Sequence, residues 1–316
     1  MKSIKKFFTI FSVILFFCVN AQAVMFLSKD SIGATTAQFL KLGIGAQSAG
    51  MGNAVTSIAN GTDSIYSNPA NLNYLEKIEL SFSHTMWFED VNYEWFAIAI
   101  PTQKAGTFGL GLQYVSYGSL NKFDNTNTFD GHFSPLDIAG YLSYANFYER
   151  LNFGFNIKYI YSKIEQSAST FALDIGTTYT LNNDRTSIGA TISNLGKDMK
   201  FNYKTENLPF LFKLGISHYL LEQLLVALDL NFPNDNEFYV NVGTQYYIEV
   251  ANNIDFTVRA GYEGRNKDIE GFNWINLGFG LKYLDYSLNY AFVPYGDIGM
   301  THRISLSIKL GNQIEK

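Results

Sequence analysis

Between residues 77 and 310 the side chains alternate between an oily and a wet side, and this period of two constrains the fold more than any other feature. Over residues 169–181, Phe171, Leu173, Ile175, Tyr179 and Leu181 share one face, while Ala172, Asp174, Gly176, Thr178 and Thr180 share the other. The division returns in Phe153, Phe155, Ile157, Tyr159 and Tyr161 against Asn152, Gly154, Asn156 and Lys158, and in Phe256, Val258, Ala260 and Tyr262 against Asp255, Thr257, Arg259 and Gly261. Near the end, Tyr286, Leu288, Tyr290 and Phe292 oppose Asp285, Ser287, Asn289 and Ala291, and Ile304, Leu306, Ile308 and Leu310 oppose Ser305, Ser307 and Lys309. Successive side chains of a strand point to opposite sides, so each run reads as a strand with one apolar and one polar face.

Fourteen such segments are predicted, centred near residues 82, 96, 112, 140, 155, 174, 190, 213, 226, 243, 258, 277, 288 and 305. Residues 77–316 then supply about 17 residues per strand and turn, enough for tilted strands of roughly 9–11 residues that span a bilayer. Connections are short at 182–184 and 251–253 and longer at 118–134, 196–206 and 263–270, the asymmetry of a barrel with turns on one side of a membrane and loops on the other. After residue 24 no apolar stretch approaches 18 residues, so the chain does not cross a membrane as helices. A soluble sandwich alternates too. Against it stand the length of the chain, the Phe and Tyr crowded toward strand ends, and an opposite face of Asn, Thr, Ser, Gly and isolated charges suited to a wet lumen. Lipid offers no hydrogen-bond partner, so strands cross it only as a closed sheet without edges. The expected fold is all-β: a transmembrane antiparallel β-barrel of about 14 strands over residues 77–316.

Composition agrees. Charged residues make up 16% of the 316 where a soluble domain carries roughly 25%, and 27 Phe and 21 Tyr dominate the aromatics. At the start, Lys2, Lys5 and Lys6 precede an apolar run from Phe7 to Val19, and Ala21-Gln22-Ala23 offers a cleavage site. Residues 1–23 therefore read as a secretory signal peptide, its run of 13 being too short for a spanning helix of about 20. Cys18 lies inside that leader, behind Phe17 where a lipoprotein signal needs a small residue, so the mature chain has no thiol for disulfides, metal ligation or nucleophilic chemistry. Without the three leader lysines, 20 basic residues face 28 acidic ones, a net charge of -8 with no basic patch, which excludes nucleic acid as a partner.

Residues 24–76 break the strand pattern. They hold Gly43, Gly45, Gly50 and Gly52, a predicted short helix from Ser48 to Ala59, and a second from Asp63 toward Tyr66 that Asn68-Pro69 stops. Fourteen strands enclose more space than side chains fill, so this segment is expected inside the barrel as a plug, its glycines allowing backbone to approach the wall. An extension outside the barrel is the alternative.

The residue types that carry chemistry are present but dispersed. His84, His132, His218 and His302 are scattered and form no H-E-x-x-H motif, so zinc is not indicated. His84 beside Ser81 and Ser83 is a weak hint of a hydrolytic triad, and a lone strand histidine is the better reading. Gly43-x-Gly45 has Ser48 where a dinucleotide fingerprint needs glycine. Asp124, Thr126, Thr128 and Asp130 before Gly131 match a calcium loop poorly and read as a solvated surface loop. Trp87, Trp95 and Trp274 read as an interfacial belt. No catalytic residue, metal ligand or cofactor site is expected.

Three stretches of the plug segment are distinctive: Thr36-Ala37-Gln38-Phe39-Leu40-Lys41-Leu42-Gly43-Ile44-Gly45-Ala46, then Ala49-Gly50-Met51-Gly52-Asn53-Ala54, then Tyr66-Ser67-Asn68-Pro69-Ala70-Asn71-Leu72. They resemble the opening of the PorV/PorQ family of outer-membrane proteins, and Tyr290 to Gly299 followed by Thr301 to Ser307 looks like that family's last hairpin. The middle of the chain matches in strand pattern alone, and the six residues after Leu310 depart from barrels that finish on an aromatic residue. That family is similar to the FadL group of fourteen-stranded barrels with an N-terminal plug. The resemblance implies a structural plug motif of Gly43, Gly45, Gly50, Gly52, Asn68, Pro69 and Ala70. It also implies a place in the outer membrane of a Gram-negative-type bacterium, in contact with its lipid. The implied role is non-enzymatic, as a type IX secretion component or adaptor that meets the secretion translocon or the C-terminal domains of cargo. The alternative is a FadL-like transporter of hydrophobic small molecules.

Overall fold

The structure, a computed structural model, describes residues 33–89, 91–201 and 204–314. The leader expected over residues 1–23 lies outside the described residues, as does the start of the segment 24–76.

In chain order the strands are β1 (Ile78–Met86), β2 (Asn92–Pro101), β3 (Thr107–Ser116), β4 (Leu120–Phe123), β5 (Phe129–Phe133), β6 (Leu136–Tyr148), β7 (Leu151–Lys163), β8 (Ser167–Thr180) and β9 (Thr186–Gly196). Then come β10 (Met199–Phe201), β11 (Lys204–Glu206), β12 (Leu211–Tyr219), β13 (Leu224–Pro233), β14 (Tyr239–Ala251), β15 (Ile254–Glu263), β16 (Asn276–Tyr283), β17 (Tyr286–Pro294) and β18 (Met300–Leu310). Fourteen of them close one antiparallel barrel in the order β1-β18-β17-β16-β15-β14-β13-β12-β9-β8-β7-β6-β3-β2, and each expected centre falls on one of these. The other four form hairpins, β4 with β5 and β10 with β11, inside the connections expected as long loops. Pairing of the first strand with the last, Ile78 opposite Leu310 and Met86 opposite His302, leaves the sheet without an edge.

The packing is inside out for water. Lys158 is 2% exposed, Arg303 1% and Asp229 0%, all facing the lumen, whereas Phe171 is 64% exposed and Leu110 56%, both on the outer wall. Along β7, Asn152, Gly154, Asn156 and Lys158 are buried while Phe153, Phe155, Ile157 and Tyr159 are exposed, the division that alternation demands. A surface of this kind is stable only where the surroundings are hydrocarbon. The chain is a transmembrane β-barrel of fourteen antiparallel strands.

Its two ends differ. One carries tight turns such as 149–150, 252–253 and 284–285, together with the residues just before β1 and after β18. The other carries the connections 117–135, 197–210 and 264–275. Between the ends, residues 35–75 fill the lumen with short pieces: 3-10 turns at Gln38–Lys41, Gly61–Asp63 and Pro69–Tyr74, and helices at Ala46–Gly50 and Ser64–Ser67. The helix predicted over Ser48 to Ala59 is thus shorter and earlier. It ends because Gly52 (φ 61°) and Asn53 (φ 58°) both turn into the left-handed region, which an α-helix does not enter. Asp63 does not cap the next helix, its carboxylate being drawn to a wall tryptophan instead. At its far end Asn68 is extended, and its side chain caps the Pro69–Tyr74 turn by accepting from the Ala70 N–H.

Candidate functional site

A chain of short turns leaves many backbone groups without partners, and in a closed lumen these must be met by the wall. At the long-loop end the Thr36 N–H donates to the Asn207 carbonyl. There Asp235, in the connection after β13, accepts from Thr35 Oγ1 (2.5 Å), Gln38 Nε2 (3.1 Å) and Lys41 Nζ (2.7 Å). Carbonyls along the next turn receive Gln113 Nε2 at Phe39, Tyr93 OH at Leu42 and Arg303 at Gly43. Deeper in, Ser305 Oγ accepts from the Ala46 N–H, Asn276 Nδ2 donates to the Ala49 carbonyl, and Asn53 Nδ2 donates to Glu263. A single carboxylate oxygen of Asp229 accepts three bonds, from the N–H groups of Val55 and Thr56 (3.0 Å each) and from Thr56 Oγ1 (2.7 Å). Further round the wall, Lys213 Nζ on β12, beside β13, reaches the Ser67 carbonyl (2.9 Å), and Asn156 Nδ2 on β7 reaches the Ile65 carbonyl (2.7 Å). The polar inner face is therefore a socket cut for one particular backbone.

Close approach supplies the second half of the seal. Inward-facing glycines recur on the wall, and several stand directly opposite one another: Gly154 with Gly176, Gly189 with Gly215, Gly243 with Gly261. A Cβ on Gly154 would lie 2.6 Å from the Pro69 carbonyl carbon and 2.7 Å from the Ala70 nitrogen, and one on Gly189 would lie 2.9 Å from the Thr56 carbonyl carbon. Gly154, Gly189, Gly243 and Gly261 carry no side chain because plug backbone occupies that space.

The residues singled out by the resemblance are spread around the plug rather than gathered in one pocket. Gly50 meets the Gly278 backbone, and a Cβ there would lie 2.9 Å from its Cα. Gly52, in its left-handed conformation, faces the Tyr262 backbone. Gly43 leaves room for the Asn53 side chain and Gly45 for the Asp63 carboxyl. Asn68 Nδ2 donates to the Thr56 carbonyl (2.6 Å), to Thr178 Oγ1 (3.0 Å) and to the Thr177 carbonyl (3.2 Å), tying two plug turns to β8. Pro69 and Ala70 rest on Gly154.

Asp63 is the most perturbed acid outside the strands. Burial, with Glu79 beside it, pushes its carboxyl up to about 7, against hydrogen bonds from Trp95 and Ser81 that pull it down. Trp95 thus overturns its assignment to the interfacial belt. It faces inward between Tyr93 and Ala97, is fully buried, and donates Nε1–H to Asp63 Oδ1 at 3.0 Å. Trp274 is exposed, and Trp87 packs against Phe88 and Tyr295 above Arg303. Next to Trp95, Phe39, Leu40, Ile44, Ile65 and Leu72 of the plug form an apolar cluster with Val115, Tyr141 and Ile160 of the wall. Toward the short-turn end the lumen widens into a cavity of about 300 Å³ between the plug and strands β14 to β18 and β1.

The remaining chemical hints separate in space. His84 points outward and meets Glu94 Oε1 at 2.7 Å, while Ser81 and Ser83 are buried on the inner face, so no triad forms. Asp124 accepts from Thr126 and Thr128 within its own hairpin tip, and Asp130 pairs with Lys122. Among the described residues no three His, Cys, Asp or Glu side chains cluster as a metal would need. Asp229, Lys213, Asn156, Glu263, Asn276 and the wall glycines do not stand out in the sequence. Their signal is present, since glycine inside a strand marks close backbone approach, but a period-two pattern does not say what approaches.

Fold and site together define a class: an outer-membrane-type β-barrel whose lumen is stoppered by its own N-terminal segment. Over residues 18–170 the chain matches the model of an uncharacterised protein family, UPF0164. No curated protein matches it. Among solved structures the fold is shared with the Ralstonia pickettii toluene transporter TbuX (13% identity, TM-score 0.60, covering 85% of this chain and 99% of that one) and with the Pseudomonas putida toluene transporter TodX (14%, 0.57, 84% and 96%). A Pseudomonas aeruginosa FadL homologue is similar as well (10%, 0.52, 84% and 98%).

Proposed function

We propose that this protein is a non-enzymatic barrel of the outer membrane of a Gram-negative-type bacterium that serves protein secretion, as a component or adaptor of the type IX kind. Its long-loop face would hold the translocon or the C-terminal domains of exported cargo. The observation that carries this reading is the seal. Buried hydrogen bonds and glycine-backed backbone contacts hold the plug to strands from β3 around to β18, so a solute crosses the lumen only if many of these break together. A barrel built this way offers its rim and loops rather than its interior. Hairpins β4–β5 and β10–β11 extend that rim on the side that faces outward in barrels with short periplasmic turns.

Passage of a hydrophobic small molecule is the second reading, favoured by the fold shared with the two toluene transporters and by the apolar cluster of Phe39, Ile44 and Ile65 against the wall. Deleting the gene and measuring, side by side, release of exported proteins into the medium and uptake of a labelled hydrocarbon separates the two. Loss of release supports the secretion role; normal release with lost uptake reverses the ranking.

A further inference from the structure

We propose that the cavity at the short-turn end is a binding site for a small anion, a ligand with carboxylate or phosphate oxygens, anchored by the guanidinium of Arg259. Arg259 is only 5% exposed, yet among the described residues its hydrogen-bond partners are two neutral amide oxygens, Gln245 Oε1 at 2.8 Å and Asn289 Oδ1 at 2.9 Å. A guanidinium has five N–H donors, so most of its fork is left for something else. It lies across Gly280, where a Cβ would come within 2.8 Å of one terminal nitrogen and 3.2 Å of the other, so the glycine makes room for the guanidinium, and both residues line the cavity.

The acids that face this cavity are already engaged. Asp255 pairs with Lys282 at 3.3 Å, and Glu79 lies 3.9 Å from Lys309 while accepting the Thr62 N–H at 2.9 Å. Asp63 accepts from Trp95. That leaves Arg259 as a buried cation without an acidic partner, an arrangement whose desolvation an anion would offset. The neighbouring floor suits an oxyanion, because Asn289 stands beside Ser305 and Ser287 beside Ser307 on adjacent strands, all facing inward. A volume of about 300 Å³ fits a small molecule and not a folded domain. The inference is independent of what the long-loop rim carries, since the cavity opens at the other end.

The test is calorimetric titration of the detergent-solubilised full chain with inorganic phosphate and, separately, with succinate. Saturable binding of either is expected, phosphate alone indicating a phosphorylated ligand and succinate alone a carboxylate. Arg259→Gln should weaken it about 10- to 100-fold, the loss of charge-assisted hydrogen bonds. Lys282→Gln, at the cavity mouth, should weaken it several-fold and serves if Arg259→Gln fails to show the gel mobility of a closed barrel. No saturable binding of either probe at millimolar concentration, or equal affinity in both variants and the parent, overturns the proposal.

Discussion

Replacing Gly154 by alanine puts one methyl group between the wall and the plug, and the structure sets the size of the clash. The new Cβ would stand 2.6 Å from the Pro69 carbonyl carbon and 2.7 Å from the Ala70 nitrogen, atoms of backbone that cannot rotate away. To reach ordinary contact near 3.4 Å the Pro69–Ala70 backbone must withdraw by about 0.8 Å. Overpacking of this kind costs about 1–3 kcal/mol, and the shift also stretches the Asn68 bonds to Thr177 and Thr178, each worth about 1 kcal/mol. The expected penalty of about 2–4 kcal/mol raises the population of displaced plug by a factor of about 30 or more. Gly140→Ala on the adjacent strand is the control, because Gly140 faces outward with nothing within 4 Å of where its Cβ would be, and it should leave plug seating unchanged. Limited proteolysis of the plug in solubilised protein and ion conductance in planar bilayers both read the outcome, with heat-modifiable gel mobility confirming a closed barrel. If Gly154→Ala is cut no faster than Gly140→Ala and conducts no more, the plug is not seated against that wall.

Asp229→Asn removes the charge from an oxygen that accepts three bonds from the Val55–Thr56 turn and should loosen the plug by about 3 kcal/mol, seen as faster proteolysis near residue 56. The Asp63 carboxyl, ordinarily near 3.8, is held up to about 7 in the seated plug, so the seated state keeps a proton that a withdrawn plug gives up. Seating is therefore expected to weaken as pH rises from about 4 to about 7 and to level off above, a slope in plug protection that Asp63→Asn should flatten. Thr35 and Asn207 are bridge partners, so cysteines at both should oxidise to a bond that ties the plug to the long-loop end in a mature chain expected to hold no other thiol. Under the proposed role cargo release continues in the oxidised protein; arrest of release on oxidation, restored by reductant, would count against it.

The strands were legible because lipid and lumen impose opposite demands on successive residues, and Phe153 or Ile308 answers to one while Lys158 or Ser307 answers to the other. Beyond the bilayer that demand stops. Both faces of β4–β5 meet water, so Leu120 and Phe133 carry no alternation, and the hairpin reads as a loop. The register shift between Leu173 and Ile175 was equally silent, since it depends on Asn194 entering the left-handed region and offering its N–H to Asp174, a contact between strands. Trp95 was misplaced for a related reason: an aromatic residue on an inward face looks from sequence like one at the interface, until Asp63 appears beneath it. In the plug the stop at Asn68-Pro69 was visible, but the turn at Gly52 was not, because propensity alone carries the helix on toward Ala59 and the Tyr262 backbone that Gly52 packs against lies in a strand distant in sequence.

The seam between β1 and β18 joins the two extremities of the cylinder, and this sets an order on biogenesis. The stopper is translated before any stave, whereas the hoop can be fastened only when the last stave has been made. Residues 35–75 must accordingly lie within the curving sheet before its seam zips shut, or be drawn in afterwards through a mouth already crowded by turns. The first route makes the stopper a mandrel around which the staves are wound, so that a chain with a damaged stopper would be slow to close as well as leaky once closed.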